Sequence, residues 1–162
     1  MNATPALPRR SEAEQERVDA VIREHIETAA FNQVLGLVAE CVRHPNVRMR
    51  VDMKPALIGN AEHRRLHGGV IATMLDNVGG ISVFAAVADK FAHETAEQLQ
   101  HRTARLGTLD LRVEYLRPGW GKYFIATGEV TRLGGRIGSV QMRLVNDEGI
   151  LIATGAANFI VS

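Results

Sequence analysis

The sequence predicts an α+β domain: an antiparallel six-stranded sheet wrapped around one long central helix, with an extra helix at the N-terminus. Three observations predict it. First, residues 68–88 carry Val70, Ile71, Met74, Leu75, Val78, Ile81, Val83 and Phe84 among alanines and glycines. Apolar residues then occupy every side, the pattern of a helix buried all round. Second, six other segments read as strands joined by short turns, and short turns join antiparallel neighbours. Third, the helices are grouped away from a closing run of four strands, which is the order of an α+β chain.

The elements follow in order. Residues 1–10, MNATPALPRR, hold no periodic pattern and are expected to be loose. Ser11 and Glu14 have capping-box spacing. The helix they open is expected over 11–32, with Val18, Val21, Ile22 and Ile26 recurring at three and four residues. Segments 36–44 and 46–54 read as a hairpin about Pro45-Asn46. Its second arm sets Val47, Met49, Val51 and Met53 against Arg48, Arg50, Asp52 and Lys54, one face buried and one wet. Residues 55–66 read as a loop into the central helix, and 93–105 as a polar helix. Strands are then expected at 107–117, 122–133, 136–145 and 150–161. Pro118-Gly119, Gly134-Gly135 and the run 146–149 (NDEG) make the turns between them.

The bulk numbers exclude several classes. A chain of 162 residues without linker or repeat suggests one domain spanning 1–162. A net charge of +1 implies neither nucleic acid nor an anionic membrane as a bulk partner. The single cysteine, Cys41, leaves no internal disulfide and fits a reducing cytoplasm. The first ten residues lack the apolar run of a signal peptide. Residues 68–88 are long enough to span a bilayer, but they contain four glycines and Asp76. A charge at mid-bilayer costs about 2.5–3.5 kcal/mol on insertion scales, so no membrane span is expected.

The functional signal lies at 60–80, NAEHRRLHGGVIATMLDNVGG, where a polar loop runs through His67-Gly68-Gly69 into the apolar helix. Asp76 sits inside that helix, and a buried carboxylate needs a partner, a proton or a task. His67 and Asp76 are nine residues apart, which puts them on roughly opposite faces and about 13 Å apart along the axis. One chain cannot bring them together. A two-fold dimer with antiparallel central helices can, so a site here is expected between subunits.

HGG opening the helix, Asp nine residues after its His, Asn60 upstream and the strand GTLDLRVEYLRPG at 107–119 occur in one order. In these features the chain resembles the hotdog-fold acyl-CoA thioesterases, in the group of the phenylacetate-pathway and THEM-type enzymes. The resemblance covers most of the chain from about residue 30. It implies hydrolysis of medium- to long-chain acyl-CoA without a cofactor, in a homodimer whose dimers can pair further. It also implies roles. Asp76 matches the catalytic carboxylate, and Gly68 the backbone N–H that holds the thioester oxygen. Asn60 matches a polar residue near the attacking water. His67 matches the motif's histidine, which shapes the turn, and Thr108 falls where relatives place a hydroxyl. Asn60 lies one residue further from His67 than in the human enzyme. Gly69 and Asn77 are counted with the substrate-binding residues, and Asn77 is also expected at the dimer contact. Arg117, Arg132 and Arg136 are candidates for the CoA phosphates.

The physical reading agrees. Thioester hydrolysis builds negative charge on the carbonyl oxygen, which a helix N-terminus meets with unpaired N–H groups and the positive end of its dipole. A carboxylate then activates water, or attacks directly to give an anhydride. Blander readings stand beside these. Asp76 alone reads as a structural carboxylate, Asn60 as a turn residue, Thr108 as an ordinary strand residue, and His67 equally as a turn residue. His63 and His67 are spaced as a metal pair, but no third ligand is evident and no metal is expected. Cys41 alternates inward as a core residue. There is no GxSxG elbow, and the glycines of LGGRIG at 133–138 serve a hairpin. A hotdog hydratase is the nearest alternative, but its D-x-N-P-x-H motif is absent. A non-catalytic acyl-CoA sensor and a purely structural dimer complete the alternatives.

Overall fold

The computed structural model describes residues 8–161. Helix α1, Glu12–Thr28, starts at the predicted cap, with the Ser11 side chain accepting the Glu14 N–H at 3.2 Å. The single helix expected over 11–32 is two. The chain turns extended at Ala29 and re-enters a short helix, α2, Ala30–Leu35. The kink lets Asn32 turn inward, where its Nδ2 donates to Ile26 O at 2.9 Å.

The expected looseness of the first ten residues lies, for 1–7, outside the described residues. Arg9 and Arg10 are tied to the far end of the central helix. The Arg10 guanidinium donates to Ala88 O at 2.5 Å, Phe91 O at 2.8 Å and Ala92 O at 3.2 Å. A cation on the last carbonyls of a helix satisfies orphan acceptors and meets the negative end of the dipole. Burial, and then the neighbouring Arg9, lower the pKa of Arg10 from the ordinary arginine value.

Strands β1, Val38–Cys41, and β2, Arg48–Asp52, form the predicted hairpin, with Val38 opposite Arg50. Both are shorter than the sequence suggests. The turn passes through a cis His44–Pro45 bond, and a bulge after Ala39 leaves Cys41 only half-buried. The expected loop at 55–66 contains structure of its own. After a single 3₁₀ turn at Pro55–Leu57, the strands β3, Ile58–Asn60, and β4, Arg65–Leu66, make a two-stranded ribbon.

The central helix α3 runs Gly68–Lys90, and the polar helix α4 is Ala96–Arg102. Helix α4 is opened by a capping box between Thr95 and Gln98. Behind it Arg102 pairs with Glu94 and stacks on Phe91, and its hydrogen bond holds the Glu94 carboxyl below its ordinary pKa. The closing strands are β5, Gly107–Tyr115; β6, Tyr123–Leu133; β7, Ile137–Asn146; and β8, Leu151–Ile160.

All six long strands join one antiparallel sheet in the order β1-β2-β6-β7-β8-β5. The sheet curls around α3, which is the hotdog architecture the sequence predicts. By length and composition α3 could cross a membrane, but 67% of its most apolar window is buried inside this chain. The inner faces of β7 and β8 set small residues against large: Gly138 faces Phe159, Val140 faces Ala157, Met142 faces Gly155 and Leu144 faces Ala153. That matching leaves a surface on which a helix lies close.

The closest approach is at β6. A Cβ on Gly128 would meet Ser82 Oγ at 2.3 Å and Val78 O at 3.2 Å, and Ser82 Oγ is already held on Val78 O at 2.7 Å. Gly128→Val must push the helix off the sheet, at a cost of about 2–3 kcal/mol for overpacking. A urea melt should show that loss as a lower midpoint. An unchanged midpoint would mean the helix can step back freely.

Candidate active site

The helix start is built first. His67 is the N-cap, at φ −64° and ψ 136°, and its Nδ1 accepts the Gly69 N–H at 2.8 Å. A neutral ring accepting on Nδ1 carries its proton on Nε2. The His67 N–H donates to Leu57 O at 2.8 Å, and the Leu66 N–H to Gly119 O at 2.9 Å, so the loop is held from two sides. The chain beside it must be glycine: a Cβ on Gly59 would meet His67 Cα at 2.7 Å. His67 O accepts the Val70 and Ile71 N–H groups. Among the described residues, no acceptor takes the Gly68 N–H. It is an orphan donor at the positive end of a 23-residue helix. His67 therefore caps the turn that opens the helix.

Tyr115 completes this end, and the sequence reading did not single it out. Its hydroxyl donates to Gly68 O at 3.1 Å, and its ring lies 3.4 Å from where a Gly68 Cβ would be. Plain alternation hid it, because residues seven apart in a strand face opposite ways, and only a bulge between Thr108 and Asp110 turns both Thr108 and Tyr115 toward α3.

Asp76 is half-buried on α3, and its Oδ1 accepts the Thr108 hydroxyl at 2.8 Å. Two of the expected residues are thus in direct contact. Asn77 is turned into its own chain. Its Oδ1 accepts from Asn32 Nδ2 at 2.9 Å, and its Nδ2 donates to Thr73 O at 2.9 Å. It fastens α2 to α3 beside Asp76. Asn32 is a further residue sequence reasoning missed, and a lone Asn at a helix end gives no local sign of burial.

The Asn60 Oδ1 accepts the His63 N–H at 2.9 Å and closes the turn of the β3–β4 ribbon. The three arginines are not together. Arg117 follows Tyr115, and its Nη1 donates to Leu151 O at 3.0 Å. Arg132 and Arg136 flank the β6–β7 turn, beside Ile137, which pairs with Ile160. From residue 151 to 160 along β8 is about 30 Å. No single CoA phosphate can touch all three in one chain.

Gly68 and Asp76 are eight residues apart on one straight helix, about 12 Å along its axis. One end carries an N–H with no acceptor among the described residues, and the other a carboxylate that accepts a hydroxyl hydrogen bond.

Sequence comparison agrees with this geometry. Residues 63–153 match the sequence model of the thioesterase superfamily, and the chain belongs to that family. It is a thioester hydrolase of the hotdog fold. It is similar to the medium/long-chain acyl-CoA thioesterase YigI of Escherichia coli and of Salmonella typhimurium, with 34% identity over 131 residues, 81% of this chain and 84% of each relative. Among solved structures, a protein from Shewanella oneidensis related to the thioesterase superfamily has 40% identity and a TM-score of 0.83, covering 93% of this chain and 97% of that one. A thioesterase from Haemophilus influenzae shares the fold at a TM-score of 0.66 and 15% identity, over 85% of each chain.

Proposed function

We propose that this protein hydrolyses acyl-CoA thioesters of medium to long chain, giving free acid and CoA, at sites formed between two copies of the chain. The observation that carries the reading is the pair of half-sites on α3, the free Gly68 N–H and the Asp76 carboxylate bonded to Thr108. The relatives named above support the substrate class.

The edge of the sheet supports the composite site. β5 pairs with β8 on one side, and its other side is the edge of the sheet. That edge exposes Leu109 and Tyr115, each more than half accessible. An exposed strand edge is a template for another strand. Pairing β5 antiparallel with its own copy about Leu111 sets Thr108 of one chain opposite Glu114 of the other. The Asp76–Thr108 end of one subunit then lies beside the Gly68–Tyr115 end of its partner.

In such a site the thioester oxygen sits on the Gly68 N–H. Asp76, held by Thr108 on Oδ1, takes a proton from water through Oδ2. The hydroxide adds to the carbonyl carbon, the C–S bond breaks, and the thiolate leaves with the sulfur electrons and collects the proton. Direct attack by the carboxylate, through an anhydride that water opens, uses the same two half-sites.

The test is release of the CoA thiol, followed with a thiol-reactive dye, across saturated acyl-CoAs of increasing length. Turnover should rise to a maximum at a medium or long chain. Absence of turnover at every length overturns the proposal, and tight binding without turnover would identify a sensor.

A further inference from the structure

Asp76 stands at one end of a groove of about 800 Å³ that none of the sequence patterns announces. Its floor is one face of α3, where Asp76, Asn77, Gly80, Ile81 and Phe84 recur at helical spacing. That run is about 12 Å long. One wall is α1, through Val21, Ile22 and Ile26, and the other is the chain from Thr103 to Thr108 behind α4.

The helices run in opposite directions. Asn32, beyond the end of α1, is bonded to Asn77, while Arg10, before its start, holds Ala88. Val21 and Ile22 therefore stand toward the Phe84 end. There α4 leans on α1, with the Ala96 N–H on Glu14 Oε1 at 2.8 Å, and Val21, Phe84 and Gln100 line the end wall of the groove. Apart from Asp76, its ionisable lining is Glu24 and His25, both exposed on the α1 rim.

We propose that this groove is the acyl-chain subsite, and that Phe84 and Val21 set the length of chain it accepts. The inference rests on the thioesterase reading. A thioester attacked by water from Asp76 must have its carbonyl carbon beside that carboxylate. Its CoA side faces the helix start of the partner. The acyl tail leaves on the other side, where the floor beyond Asp76 is uncharged and ends in Ile81 and Phe84. A volume of this size is that of an ordinary small-molecule site. Each methylene buried in an apolar channel gains about 0.8 kcal/mol, or about four-fold in binding. The gain stops where the chain meets the end wall.

The experiment measures kcat/KM over saturated acyl-CoAs lengthened two carbons at a time, for wild type, Val21→Trp, Phe84→Ala and Asp76→Asn. Val21 is half-exposed, so a larger side chain there fills the groove rather than the core. Val21→Trp should lower the ratio of kcat/KM on the longest to the shortest substrate by at least about ten-fold, the effect of roughly two methylenes. Phe84→Ala should move the optimum to longer chains. If Phe84→Ala does not fold, Val21→Trp decides alone. A folded Val21→Trp with the wild-type chain-length profile, in a protein whose turnover still needs Asp76, overturns the subsite and leaves the thioesterase reading standing. A wild type that turns over no acyl-CoA, or Asp76→Asn with full activity, overturns the reading and the subsite with it.

Discussion

Asp76→Asn should lower kcat by about a thousand-fold while the protein keeps its fold and its melting temperature. The size follows from the role, since a positioned general base contributes roughly 10²–10⁴ in rate. Preservation of the fold follows from the contacts. The Asp76 Oδ1 accepts one hydrogen bond, from the Thr108 hydroxyl at 2.8 Å, and an asparagine oxygen accepts the same bond. The substitution therefore removes the charge and leaves the shape. Steady-state CoA release beside a thermal melt separates the outcomes. Lost turnover in an equally stable protein identifies the carboxylate as the reacting group. Turnover near the wild-type rate makes Asp76 a structural residue, the bland reading of a carboxylate on a buried helix.

Gly68→Pro is the complementary change, and it tests the composite site. It deletes the one N–H at the helix start that has no acceptor among the described residues. Proline is well tolerated at the first helical position. The residue before it must be extended, and His67 already is, at φ −64° and ψ 136°. The variant should fold and lose about 10²–10³ in kcat, the cost of one oxyanion donor.

The decisive step is to co-refold Gly68→Pro with Asp76→Asn in equal amounts. If each site takes Asp76 from one subunit and Gly68 from the other, half of the dimers are mixed. Each mixed dimer then carries one site with both groups intact. Activity should return to about one quarter of wild type by two-fold symmetry. If both groups of a site came from one chain, every mixture would stay inactive. The 12 Å that separates them along α3 argues against that.

Much of this molecule was legible in the sequence. The central helix, its start at His67-Gly68-Gly69 and the four closing strands follow from local causes: hydrophobic period, a capping residue and turn chemistry. The separation of His67 from Asp76 followed from helix geometry alone, and with it the expectation of a site between subunits. The carboxylate and the helix start were recognisable because their signals lie within nine residues of one another.

What the tertiary structure decided depends on partners distant in the chain. Thr108 reaches Asp76 across 32 residues, Asn32 reaches Asn77 across 45, and Tyr115 reaches Gly68 across 47. Arg10 holds the end of the central helix across 78. The break at Ala29 was hidden because the partner of the inward-turned Asn32, Asn77, lies on another element. The arginines looked equivalent because each stands at a strand end, and only the strand pairing puts Arg117 near one end of β8 and Arg132 and Arg136 near the other. The acyl groove belongs to the same class. Its floor is a helix face that any periodicity analysis reads as core, and it is open only because α1 and α4 pack beside α3 and leave a gap between them. Period and capping are properties of neighbouring residues, whereas a cavity exists only once several elements have been placed around it.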